Sequence, residues 1–155
     1  MRRAARQEAN LLFVLGSWQD LPGELRGVAS SVSVLFPWGS LLQAAATADA
    51  AFVAALIAVS QPGATVELVT AIEPATDASE LRRLGLDGFN PGEIATAWRR
   101  HGFEAASIAL PDDHPYQTSW WRRIRNRPGR AATLTRITLR SDRPGPAPRS
   151  EPRSH

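Results

Sequence analysis

Short apolar runs of strand composition alternate with helical segments between residues 11 and 140, and this alternation confines the chain to an open α/β sheet. Leu11-Leu12-Phe13-Val14-Leu15 is a continuous apolar run that predicts a buried strand. It ends in the loop Ser17-Trp18-Gln19-Asp20-Leu21-Pro22, which opens a short helix through Glu24 and Leu25. Residues 32–36 predict a second strand, stopped by Pro37. From Ser40 onward Leu41, Leu42, Ala45, Phe52, Leu56 and Val59 fall near helical spacing. Residues 40–60 therefore predict one long Ala-rich helix, capped by Ser40 and ended by Pro62-Gly63.

Residues 65–70 have the composition of a third strand, and residues 78–84 predict a short charged helix. Asn90-Pro91-Gly92-Glu93 is a helix start, with Asn as N-cap, Pro at the first position and Glu at the third, near the positive end of the helix dipole. That helix runs through Ile94, Ala97 and Trp98 to His101, where Gly102 supplies the stop. Residues 103–110 and 134–140 predict two more strands. Between them, residues 111–130 are polar, basic and Trp-bearing. One domain is expected over residues 1–140, followed by a disordered Pro/Arg/Ser tail over 141–155.

Several function classes drop out. The chain has no cysteine, so disulfide frameworks and thiolate metal sites are excluded, and His101, His114 and His155 give no metal spacing. The longest strongly apolar run, residues 50–59, is far short of the about 20 residues a membrane-spanning helix needs. Gln7, Glu8 and Asn10 interrupt any secretory leader pattern, so a cytoplasmic protein that meets no membrane is expected.

Charge is unevenly placed. All 18 basic residues are arginine; residues 1–113 hold 8 of them against 13 acidic residues, whereas residues 114–155 hold 10 against 2. A basic C-terminal third points to a polyanionic partner, although an Arg-rich genome with a basic tail produces the same asymmetry.

The loop from Ser17 to Pro22 resembles the adenine-side loop of S-adenosylmethionine-dependent class I methyltransferases, and Gln61-Pro62-Gly63 resembles a turn those enzymes carry before a strand. A sharper likeness joins two segments: Val34-Leu35-Phe36-Pro37-Trp38-Gly39-Ser40-Leu41-Leu42 and, much later, Thr118-Ser119-Trp120-Trp121-Arg122-Arg123-Ile124. Together they resemble the aminoglycoside-resistance methyltransferases that modify N1 of adenine 1408 in 16S ribosomal RNA. The resemblance runs from about Asn10 to Arg140 in order and spacing. It implies a Rossmann-like class I sheet of which this sequence carries the C-terminal two-thirds, with the first two strands missing.

In that family a strand, a glycine-rich turn and a helix precede a second strand ending in an acidic residue. The glycines let the backbone approach the cofactor, and the carboxylate holds ribose hydroxyls. No G-x-G-x-x-G occurs in these 155 residues. In the family's strand order, 3-2-1-4-5-7-6, the strand at residues 11–15 is left without its neighbour. A truncated or mis-started reading of a longer enzyme is therefore expected.

The resemblance assigns roles by position. Trp38 and Trp120 are the aromatic faces that sandwich a flipped adenine, and the carbonyls beside Phe36 and Pro37 accept from its exocyclic amine. Ser17, Trp18, Gln19 and Thr118 fall on the S-adenosylmethionine side, and Arg122, Arg123, Arg125, Arg127 and Arg130 face RNA in the assembled 30S subunit. A monomer with no metal is expected. Each residue also has a plainer reading: Trp38 as core, Trp121 in place of Trp120 as the stacking ring, Thr118 as a helix N-cap, the arginines as a solvated face. Trp98, beside Ile94 on an apolar helix face, reads as core. Two further functions stay open: an RNA-binding fragment that holds no cofactor, and a class I methyltransferase for a small molecule.

Overall fold

The computed structural model describes residues 15–127 and 129–139; the expected strand at 11–15, apart from Leu15, and the tail at 141–155 lie outside the described residues. Four strands form one sheet in the order β1-β2-β4-β3, with β1 at Ala29–Leu35, β2 at Ser60–Thr70, β3 at Glu104–Leu110 and β4 at Ala132–Thr138. β1 and β2 are parallel, and β4 runs antiparallel to both of its neighbours. This is the 4-5-7-6 end of the expected strand order. Among the described residues β1 is paired on one edge only, so the C-terminal ends of β1 and β2 meet beside an open sheet edge.

The expected single helix over 40–60 is two helices, α1 at Gly39–Thr47 and α2 at Ala50–Val59, bent by 90° to one another. Ala48 adopts a left-handed conformation (φ 52°, ψ 50°), which ends α1, and the Asp49 carboxylate then caps α2 by accepting from the N–H groups of Ala51 and Phe52 at 2.9 and 3.1 Å. Asp49 inside an Ala-rich run was the sequence signal for this break. Ser40 does not cap: Trp38 holds that position with extended backbone, and Ser40 lies within the first turn. Among the described residues no single helix is long and apolar enough to cross a membrane.

Pro62-Gly63 does not end a helix either; both lie inside β2. Ala29 pairs with Ser60 and Ser31 with Thr65, so β2 bulges where Pro62 lacks an N–H and Gly63 takes φ 79°. The charged helix is longer than expected, α3 at Pro74–Arg83. The Asn90 start is as read: its side chain accepts from Gly92 N at 2.9 Å, a 3-10 turn spans Pro91–Glu93, and α4 follows at Ile94–Arg100. Gly102 stops the helix with φ 84°.

The main core lies between the sheet and α1, α2 and α4. Trp98 is fully buried there, edge-on to Phe52 and Phe103, and its indole N–H donates to Ala45 O at 2.9 Å. A second, smaller cluster gathers Phe36, Val69, Ala71, Trp121, Ile124, Ala132 and Leu134 at the C-terminal ends of β1 and β2. It is roofed by the β3–β4 connection and its short helix, α5 at Ser119–Ile124.

Candidate functional site

Ligands of open α/β sheets sit outside the carboxyl ends of the strands, and here that end is built around Phe36. Phe36 leaves β1 with φ 51°, a conformation costly for a bulky residue, while Pro37 removes the right-handed helical alternative. The turn is held because Phe36 N donates to Val69 O at 2.6 Å and the ring is packed by aromatic neighbours. Trp121 lies parallel to it, with centroids 5.6 Å apart and an interplanar angle of 3°. Trp120 approaches at 5.5 Å with a 36° tilt, and His114 at 6.3 Å.

The adjacent tryptophans are thereby separated. Trp121 is 0% exposed and Trp120 38% exposed. Trp38, two residues past Phe36 along the chain, is 43% exposed rather than core. Trp120 thus faces solvent against one buried ring, and Trp38, also exposed, follows it in sequence beyond the buried Pro37.

Thr118 positions α5: its hydroxyl accepts from Trp121 N at 3.0 Å as the helix N-cap. The cap leaves the hydroxyl proton free to donate elsewhere. Ser17 and Gln19 are exposed and hydrogen-bonded to each other through their side chains. Trp18 is half-buried with its ring edge-on to Phe52 at 5.3 Å, and its indole N–H is buried with no acceptor among the described residues. That orphaned donor fits a ring nitrogen of a bound purine. The described residues otherwise contain no glycine-rich turn and no group of three or more His, Cys, Asp or Glu placed to hold a metal.

Arg122, Arg123, Arg125 and Arg127 are exposed along α5 and the turn after it. Arg130 is set differently. Its guanidinium is 6% exposed and pairs with Asp77, 8% exposed, at 2.6 Å, and it also donates to Ala71 O at 2.6 Å. Asp77 in turn accepts from Glu73 N at 3.0 Å, so the basic loop is tied to the start of α3 and the end of β2.

Sequence reasoning did not single out Asp77, Tyr116 or the role of His114. The Tyr116 hydroxyl donates to Glu67 at 2.7 Å, and Arg136 donates to the same carboxylate at 2.9 Å. The Tyr116 hydrogen bond, followed by Arg136, holds the Glu67 carboxyl below its usual range, while burial and the Glu67 bond push the Tyr116 phenol up. No spacing rule in the sequence pairs residues this far apart.

A profile of the family described as NpmA, 16S rRNA (adenine(1408)-N(1))-methyltransferase, matches residues 1–138. A 16S rRNA (adenine(1408)-N(1))-methyltransferase of Escherichia coli is 31% identical over 78 residues, which are 50% of this chain and 36% of that protein. The aminoglycoside resistance methyltransferase NpmB1 superposes with a TM-score of 0.58 at 30% identity, over 80% of this chain and 58% of that one. A mutant of the 16S rRNA (adenine(1408)-N(1))-methyltransferase of Catenulisporales acidiphilia, solved with its cosubstrate SAM, superposes with a TM-score of 0.65 at 24% identity, over 84% of this chain and 62% of that one. The last likeness establishes the class I methyltransferase fold. This chain spans 36% of the curated relative's length and about three-fifths of the two solved ones. With the profile match covering nearly the whole chain, this protein belongs to the 16S rRNA (adenine(1408)-N(1))-methyltransferase family.

Proposed function

We propose that this chain forms the base-binding side of an enzyme that methylates N1 of adenine 1408 in the 16S rRNA of the assembled 30S subunit, conferring aminoglycoside resistance. One observation carries the proposal: Trp120, exposed, packs on Phe36 at the carboxyl end of β1, and Trp38, also exposed, stands two residues along the chain from that ring. Two aromatic faces on separate connections suit a flipped adenine, since stacking contributes ~1–3 kcal/mol per base against an unstacking cost of a few kcal/mol.

N1 of adenine carries an in-plane lone pair, so the reaction needs alignment more than proton transfer. The Trp38 and Trp120 rings fix the plane of the base, and the Phe36 and Pro37 carbonyls select its exocyclic amine. As the ring becomes cationic, the indole faces stabilise the developing charge. S-adenosylmethionine supplies the sulfonium methyl. Ser17, Trp18 and Gln19 hold its adenine side, the orphaned Trp18 N–H being the donor best placed to gain from it, and the Thr118 hydroxyl holds it from the catalytic loop. Arg122, Arg123, Arg125 and Arg127 grip phosphates, and their exposure supports this role. Arg130, buried against Asp77, sets the loop that presents them. The enzyme acts as a cytoplasmic monomer.

A second reading is an RNA-binding fragment without transferase activity, for which the exposed arginines of α5 would serve equally. Methyl transfer from labelled S-adenosylmethionine to 30S subunits separates the two. A reverse-transcriptase stop at adenine 1408 supports the enzyme. Subunit binding with no transfer, even after a strand–glycine turn–strand segment is joined upstream, leaves the binder.

A further inference from the structure

His114 is 2% exposed and sits where the aromatic cluster meets the β3–β4 connection. Its ring centroid is 5.0 Å from Trp121, 5.9 Å from Tyr116 and 6.3 Å from Phe36. Nδ1 accepts a hydrogen bond from Tyr116 N at 3.1 Å, so the neutral ring carries its proton on Nε2, which is buried with no partner. The turn is closed around its backbone as well: His114 N donates to Pro111 O at 3.1 Å, and the Gln117 side-chain amide donates to both Asp112 O and His114 O, at 3.0 and 2.7 Å. This wrapped turn leads directly into Thr118, the cap of the helix bearing Trp120 and Trp121.

We propose that His114 is a positioning residue for the base-binding face: as a neutral imidazole it clamps the turn and the Phe36–Trp121 stack, and gaining a proton releases them. A protonated ring would set Nδ1–H against the Tyr116 N–H, donor against donor, and place a charge among buried aromatic rings. What the face binds rests on the function proposed above; the clamp rests on geometry alone. The charged groups around the imidazole are few. Asp112 and Asp113 on its own turn favour the proton. Tyr116 is engaged with Glu67, itself paired with Arg136 from β4, and the end of β1 and α5 present the rings of Phe36 and Trp121. Burial outweighs the hydrogen bond to the residue's own backbone and both aspartates, and holds the imidazole below its ordinary 6.5.

The test compares the wild-type chain with His114→Asn, which keeps an acceptor for Tyr116 N but does not titrate, and His114→Phe, which keeps a ring without the acceptor. The imidazole Cε1 shift, tryptophan fluorescence and affinity for 30S subunits are followed from pH 7.5 to 5, a range of about 2.5 units that brackets the ordinary imidazole value. The clamp predicts one midpoint below 6.5 in shift and fluorescence. Because α5 also carries Arg122 and Arg123, the clamp further predicts wild-type affinity falling by about tenfold per unit of pH below that midpoint relative to His114→Asn. An imidazole midpoint at or above 6.5, or the same fluorescence step in both variants, overturns the clamp. A His114-dependent fluorescence step with unchanged 30S affinity leaves the clamp standing and overturns the assignment of the α5 arginines to RNA.

Discussion

The ring of Phe36 lies parallel to that of Trp121, 5.6 Å away and inclined by 3°. This contact turns one of two adjacent tryptophans into the floor of the site and leaves Trp120 at the surface. Trp121→Ala is therefore expected to destabilise the fold by about 3–5 kcal/mol, and Trp120→Ala by much less. Urea unfolding measures both. At a temperature where both variants are folded, Trp120→Ala is expected to lower 30S methylation more than Trp121→Ala, and the opposite ranking would reassign the stacking face.

Asp77 neutralises a buried guanidinium. Asp77→Ala leaves Arg130 without its partner and is expected to cost about 3–5 kcal/mol, since an unpaired buried charge is far worse than none. The double variant Asp77→Ala with Arg130→Met is expected to regain much of that loss in the same unfolding measurement. Effects of Asp77→Ala and Arg130→Met that simply add in the double variant would show that the pair is not coupled.

Thr118 caps α5 by accepting from Trp121 N. Thr118→Ala is expected to cost about 1 kcal/mol and Thr118→Ser a few tenths. If the hydroxyl serves only as a cap, Thr118→Asp retains methylation as well as stability. Loss of methylation in a stable Thr118→Asp protein would assign the hydroxyl a cofactor contact too.

Glu67 gives the fold an acid-sensitive contribution. Its carboxyl lies below the ordinary 4.5, chiefly through the Tyr116 hydroxyl, so the stabilisation is present above that value and is lost as pH falls through the lowered one. Tyr116→Phe is expected to reduce stability at neutral pH, with the difference from wild type shrinking on acidification below 4.5. Unfolding curves at neutral and acid pH check the sign.

Much of this architecture was legible. Helix starts marked by local chemistry, such as Asn90-Pro91, and strands marked by β-branched runs, such as residues 65–70, fall where residue pattern places them, with ends moved by a few positions. The break at Ala48 was missed because apolar spacing continues across it, although Asp49 carried the signal. Which of Trp120 and Trp121 is buried could not be read locally, because it is decided by Phe36, which is distant in sequence. The same holds for Arg130: a basic run looks uniformly solvated until Asp77 is folded against one member.

The RNA grip should be visible in salt dependence. Arg122→Glu with Arg123→Glu is expected to weaken 30S binding and flatten the slope of log affinity against log salt by up to about 2, each lost phosphate contact contributing ~0.7–0.9. An unchanged slope removes these two side chains from the interface.

The central claim is that Trp38 and Trp120 hold adenine 1408 for methylation. Its most direct test is methyl transfer to 30S subunits with the reverse-transcriptase stop mapped, using the chain joined to an upstream strand–glycine turn–strand segment, beside its Trp38→Ala and Trp120→Ala variants. The account predicts a stop at adenine 1408 that either substitution abolishes while subunit binding persists. A stop at another nucleotide, or one at 1408 that survives both substitutions, would contradict it.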